Sequence, residues 1–178
     1  MDIKQQAYEF ALNAHKGQKR KDGLDYINHP IEVATILAKN GASDNLICAG
    51  LLHDTIEDAH VSSKTLYSLF PKEVVDIVVM DSENKALSWE ERKLDVFNKL
   101  KTCNNNSFRM LMCADKLSNL RSISKELDAG NDIFKTFKRG RKEQEWFYRN
   151  LLESLIGIED TSMYKELSSL VDKVFRGN

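Results

Sequence analysis

The chain has 178 residues, enough for one domain with a sizeable core. A net charge of -1 excludes a globally basic surface for nucleic acid, and no window approaches the roughly 18 apolar residues of a membrane span. Two prolines, eight glycines and 30% charged residues favour a mostly helical chain.

Residues 3 to 16 predict an amphipathic helix, with Ile3, Ala7, Phe10, Ala11 and Ala14 on one face. Gly17 and Gly23 break it. Pro30 suits the first turn of the next helix, which runs to the stop signal Asn40-Gly41. Ser43 or Asp44 caps a third helix that carries Leu46 to Leu52 up to His53-Asp54. A short helix over 64 to 70 follows, and Pro71 starts another. That run, with Val74, Val75, Val78 and Val79, has strand propensity, but no partner strand is evident and it is assigned helix. Ser88 to Glu91 has the spacing of a capping box and opens a helix to about Thr102. Asn104 to Ser107 form a loop. Helices over 108 to 127, 141 to 157 and 161 to 175 complete an all-α chain, a single domain over 1 to 178 with the last helix packed on it.

The amino terminus lacks the apolar core of a signal peptide. Cys48, Cys103 and Cys113 show no CxxC spacing, so reduced cysteines and a cytoplasmic location are expected.

The chemistry concentrates at LLHDTIED. An apolar helix does not end in adjacent His53 and Asp54 without a partner, because unpaired buried charge is costly. A divalent metal is the natural partner, and mixed imidazole and carboxylate donors suit Mn, Fe, Zn or Ni better than Ca or Mg. His29, before a helix start, and Asp115, isolated among Met110 to Leu117, complete a candidate set of four. A lone histidine or core aspartate is more often a satisfied hydrogen-bonding residue; the adjacent His-Asp pair shifts the balance.

An HD pair with an upstream His and a downstream Asp resembles the HD-domain metal-dependent phosphohydrolases. AHKGQKRKDGLDYINHP, GLLHDTIED, DSENKALSWEERK and CADKLSNLRSI, in that order, resemble the hydrolase domain of the RelA/SpoT homologues, and most closely the stand-alone small alarmone hydrolases, over about residues 5 to 157. The resemblance implies a helical bundle around one Mn²⁺ held by His29, His53, Asp54 and Asp115. It implies removal of the 3′-pyrophosphate of guanosine tetra- or pentaphosphate, (p)ppGpp, with Glu57 and Asp58 as the acidic pair for hydrolysis. Glu57, one turn beyond His53, would face the same site if the helix continues.

The nucleotide substrate implies cations. Arg20 and Lys21 match the family pair that contacts the nucleotide, Asn119 the ribose-binding Asn, and Tyr148 a tyrosine of the following helix. Lys116 and Arg121 are further candidates. Lys138, Arg139, Arg141 and Lys142 match a basic segment near the phosphates, with solvated surface as the equal alternative. Trp146 and Phe147 are expected in the core, His15 as loop support and His60 on the surface. Asp81-Ser82 and Lys116-Leu117-Ser118 depart from the long synthetase-hydrolases. Two other functions compete: an HD phosphohydrolase for another nucleotide or dinucleotide phosphate, and a non-enzymatic nucleotide sensor. The intact Glu57-Asp58 pair and Arg20-Lys21 favour the alarmone hydrolase. The expected partner is a small-molecule nucleotide, with neither nucleic acid nor membrane; the oligomeric state is not encoded legibly.

Overall fold

The computed structural model describes residues 2–20 and 23–176. They form an all-α fold: α1 (Ile3–Ala14), α2 (Asn28–Lys39), α3 (Asp44–Leu52), α4 (Ser63–Leu69), α5 (Lys72–Asp81), α6 (Trp89–Thr102), α7 (Asn106–Asp128), α8 (Arg141–Ser154) and α9 (Ser162–Phe175). A short 3-10 turn, Ile133–Thr136, lies before the basic segment of Lys138 to Lys142, where no element was expected. Extended pairing among the described residues is limited to one bridge between Lys19 and Asp25. Among the described residues no helix is long and apolar enough to cross a membrane.

The helix starts follow local chemistry. The side chains of Asp2, Ser43, Ser62, Ser88, Asn105 and Thr161 each accept a hydrogen bond from a first-turn backbone N–H, satisfying donors that a helix leaves orphaned. Ser88 and Glu91 form the reciprocal capping box. Ser88→Ala is expected to lower unfolding stability by about 1 kcal/mol, read as a lower urea midpoint at unchanged slope.

Several boundaries differ from the sequence expectation. α1 ends at Ala14, and α8 at Ser154. Asn105 and Asn106 belong to the cap and first turn of α7 rather than to a loop, because the Asn105 side chain accepts from the N–H groups of Ser107 and Phe108. The valine-rich run is helical: Val74, Val75, Ile77 and Val78 are buried in α5, and tertiary burial decides over propensity.

α7, 23 residues long, is the central rod; it packs against α2, α3, α5 and α9. Its middle is buried on most sides, through Leu111, Met112, Cys113, Ala114, Leu117 and Leu120. α2 and α3 pack closely at Gly50, where an added Cβ would stand 2.7 Å from Leu37 Cδ1. That close approach brings the His29 and His53 rings to 5.1 Å between centroids.

Candidate active site

Three helices deliver the candidate ligands to one buried point: His29 from the first turn of α2, His53 from the end of α3, and Asp115 from mid-α7. One ligand atom from each lies within 4.8 Å of the others. His29 Nε2 is 3.0 Å from Asp115 Oδ1. Asp54 Oδ2 is 3.0 Å from His53 Nε2 and 3.5 Å from His29 Nε2. The four residues singled out in the sequence are therefore brought together.

The donor set fits a cation. His53 Nδ1 meets the Gly50 carbonyl at 2.9 Å, so that nitrogen carries the proton and Nε2 is the free donor. His53 Nε2 is buried without a hydrogen-bond partner. His29 Nδ1 is likewise occupied, by Ser118 Oγ at 2.9 Å. Two carboxylates and two imidazole nitrogens thus converge, with the outer nitrogens held as in metal-binding histidines.

The electrostatics agree. Burial disfavours the charged form of His53, but Asp54 and Asp115 outweigh it and push its pKa up to about 10. Burial favours neutral Asp54 and Asp115, yet His53 and His29 hold Asp54 below the usual carboxylate range, and Lys116 with both imidazoles holds Asp115 well below it. Without a cation, the site gathers protons in its place. Asp81, at the end of α5, feels the same field: burial pushes it up to about 7, His53 opposes, and Asp115 adds to the rise.

The acidic pair departs from the expected geometry. α3 ends at Leu52, and residues 53–58 form a compact turn rather than more helix. The Asp58 N–H donates to Asp54 O at 2.9 Å, so the turn still folds back on itself. Glu57 Oε1 accepts from the Glu83 N–H at 2.8 Å. Burial, then Glu83 and Asp54, raise the Glu57 pKa against that hydrogen bond. Tyr26 bridges the ligand and the acidic pair: its hydroxyl lies 2.7 Å from Asp54 Oδ2 and 2.9 Å from Asp58 Oδ2. Burial and these carboxylates raise the Tyr26 pKa steeply, so it remains a neutral donor.

A cavity of about 360 Å³ adjoins this centre. Tyr26 and Lys116 line it and also touch the ligands, Lys116 through a short bond to Asp115 Oδ2. Arg20, Asn119 and Tyr148 line it, as expected from the sequence. Asn119 donates to Asp115 Oδ1 at 2.7 Å and receives Arg20 Nη2 at 3.3 Å. Trp89, Lys93 and Phe147 form another wall, with Lys93 Nζ 4.9 Å from the Phe147 ring centroid.

Other candidates stand elsewhere. Arg121 does not line the cavity; it pairs bidentately with Glu166 at 2.7 Å and with Glu32 at 3.0 Å. Arg141 donates to the Val174 carbonyl and lies over the Phe134 ring, so it braces α8 against α9. Arg139 pairs with Glu90. Lys21 lies outside the described residues. Trp146 is 37% exposed, not core, because it packs on the rim against Trp89 and Phe97. Phe147 is buried, but against the cavity. His15 bonds Gln18 at 2.9 Å, and His60 is exposed with a left-handed φ of 57°. Tyr26, Trp89, Lys93 and Glu32 went unassigned in the sequence. The Trp89–Lys93 spacing of one turn was the available signal.

A family profile described as HD domain matches residues 7–139. The chain belongs to the HD-domain family. A Myxococcus xanthus GTP pyrophosphokinase is 35% identical over 131 residues, covering 69% of this chain and 17% of that protein. The zebrafish (Danio rerio) guanosine-3′,5′-bis(diphosphate) 3′-pyrophosphohydrolase MESH1 is 38% identical over 120 residues, covering 65% of this chain and 66% of that one. The match therefore spans less than two thirds of either relative. The crystal structure of lmo0812 from Listeria monocytogenes superposes with a TM-score of 0.78 at 34% identity, over 84% of this chain and 99% of that one. The matched stretch contains His53 and Asp54, and α8 and α9 lie beyond it.

Proposed function

We propose that this HD domain is a Mn²⁺-dependent (p)ppGpp 3′-pyrophosphohydrolase that releases pyrophosphate and GDP or GTP. The observation that carries the reading is the sharing of Tyr26 and Lys116 between the ligand cluster and the cavity. A phosphate held by the cavity's cations would lie beside the donor set. The name of the zebrafish relative supports this substrate.

His29, His53, Asp54 and Asp115 would hold the ion. When bound, it supplies Lewis acidity toward water and the phosphoryl oxygens. Glu57, with one oxygen fixed by the Glu83 N–H, offers the other to take a proton from the attacking water. A P–O bond to the water oxygen forms as the bond from phosphorus to the ribose 3′-oxygen breaks; the electron pair leaves with the 3′-oxygen, which takes up the proton that Glu57 received and becomes the 3′-hydroxyl. Tyr26 holds Asp54 and Asp58 in place, and Asn119 orients Asp115. Lys116 and Arg20 offset charge on the pyrophosphate. Trp89, Phe147 and Tyr148 supply apolar faces for the nucleoside. A cytoplasmic location accords with three free cysteines.

The test is steady-state turnover of ppGpp with Mn²⁺, following pyrophosphate and GDP, beside GTP, dGTP, nucleoside monophosphates and NADPH. Mn²⁺-dependent release of pyrophosphate from ppGpp is expected; cleavage of another substrate alone would overturn the assignment. Glu57→Gln is expected to keep Mn²⁺ affinity and lower kcat by about 10²–10⁴. Because the Glu57 pKa is raised, the wild-type rate rises with pH along an acid limb displaced upward from that of an ordinary glutamate. The variant loses that limb in a pH–rate profile.

A further inference from the structure

The geometry points to Glu32 as a positioning residue that, acting through Ser118, sets which ring nitrogen of His29 carries the proton and so leaves Nε2 free for the metal. This inference rests on the metal-site reading above.

Ser118 Oγ stands between His29 Nδ1, at 2.9 Å, and Glu32 Oε2, also at 2.9 Å. A serine hydroxyl has one proton to donate. An ionised carboxylate only accepts, so that proton goes to Glu32. Ser118 then has only lone pairs for His29, and Nδ1 must be the protonated nitrogen. Nε2, facing Asp115 at 3.0 Å, is left bare for a metal. Ser118 is 1% exposed and His29 3%, so water does not easily relax this direction.

Glu32 is itself fixed. Its other oxygen, Oε1, accepts from Arg121 Nη1 at 3.0 Å, and Arg121 is clamped by both oxygens of Glu166 on α9. Arg121, expected to bind substrate, instead holds the residue that orders the chain of donors. The order runs Arg121 to Glu32, and His29 to Ser118 to Glu32, with every proton pointing at the carboxylate.

Replacing Glu32 by the near-isosteric Gln reverses the chain. A guanidinium offers only donors, so Arg121 claims the single amide oxygen. The amide NH₂ then faces Ser118 and donates to it. The Ser118 proton turns toward His29, Nδ1 becomes the acceptor, and the ring proton moves to Nε2, where it blocks the metal. A change of similar shape should therefore harm metal binding as much as Glu32→Ala, which merely deletes the acceptor.

The experiment is titration of the chelator-stripped full chain with Mn²⁺, reading free Mn²⁺ by electron paramagnetic resonance. Glu32→Gln is expected to weaken Mn²⁺ binding about 10–100-fold, at least as much as Glu32→Ala, with the melting temperature of the stripped protein unchanged. In a Ser118→Ala background, Glu32→Gln is expected to add no further loss, because the messenger is gone. Wild-type Kd in Glu32→Gln, or an equal loss with and without Ser118, would overturn the inference. A wild-type chain that binds no Mn²⁺ would overturn the metal reading as well.

Discussion

Asp54→Ala is expected to abolish Mn²⁺ binding and to lower turnover by at least about a thousandfold, several kcal/mol of transition-state charge stabilisation. The reason lies in what its carboxylate touches. Oδ2 is 3.0 Å from His53 Nε2, 3.5 Å from His29 Nε2 and 2.7 Å from the Tyr26 hydroxyl. One truncation removes a ligand, a negative charge beside two imidazoles and the anchor of Tyr26. Asp54→Asn separates these losses: it keeps an oxygen for Tyr26 but drops the charge. Both variants should fail to hold Mn²⁺ in equilibrium dialysis, with Asn retaining more of the wild-type melting temperature. Full turnover of ppGpp by metal-free Asp54→Ala protein would sink the mechanism.

The second large effect concerns the stripped protein. In EDTA its melting temperature is expected to fall as pH rises from 6 to 9, and saturating Mn²⁺ is expected to reverse the fall. His53 is raised from 6.5 to about 10. Its contribution is fully present below pH 6.5 and is lost as pH rises through about 10. Asp81, raised from 3.8 to about 7, also binds its proton more tightly when folded, and its contribution declines between those values. Asp54 and Asp115 are depressed, so their contributions are present above pH 4 and vanish only in stronger acid. His53 therefore dominates the window from 6 to 9. At 1.36 kcal/mol per unit, its upper bound is about 3 kcal/mol, on the order of 5 °C or more for a chain of this size. Mn²⁺ takes the place of the protons and removes the dependence. A melting temperature that stays level or rises across this window in EDTA would contradict the assignment of these residues to one site.

The helices, and His29, His53, Asp54 and Asp115 as one cluster, were legible in the sequence because their signals are local. Ser43, Ser88 and Thr161 announce helix starts by residue type, and the adjacent His53 and Asp54 stand out against Leu46 to Leu52. The cavity wall was less legible, because its signals are tertiary. Trp89 looks like any aromatic at a helix start until α8 brings Phe147 to 6.4 Å. Arg121 and Arg141 resemble phosphate-binding cations, and only packing of α9 shows that Glu166 and the Val174 carbonyl already occupy them. The setting of Glu57 was also illegible: the condition that α3 continue is not met, since it stops at Leu52, and only the fold shows that the following turn brings Glu57 to the Glu83 N–H.

α7 carries both Asp115, a member of the candidate metal cluster, and one wall of the cavity on a single helix. Asp115 lies beside His29 and His53, and Asn119, Ser122 and Glu126 follow it along the cavity. The eleven helical steps from Asp115 to Glu126 span about 16 Å at 1.5 Å per residue. The rod therefore works as a ruler: the distance from the candidate metal cluster to Glu126 on the cavity wall is set by helix geometry. Under the proposed reaction, selection among nucleotides becomes partly a matter of length. A ligand one phosphate longer or shorter between its base and its scissile bond would have to leave one end of the ruler unmet.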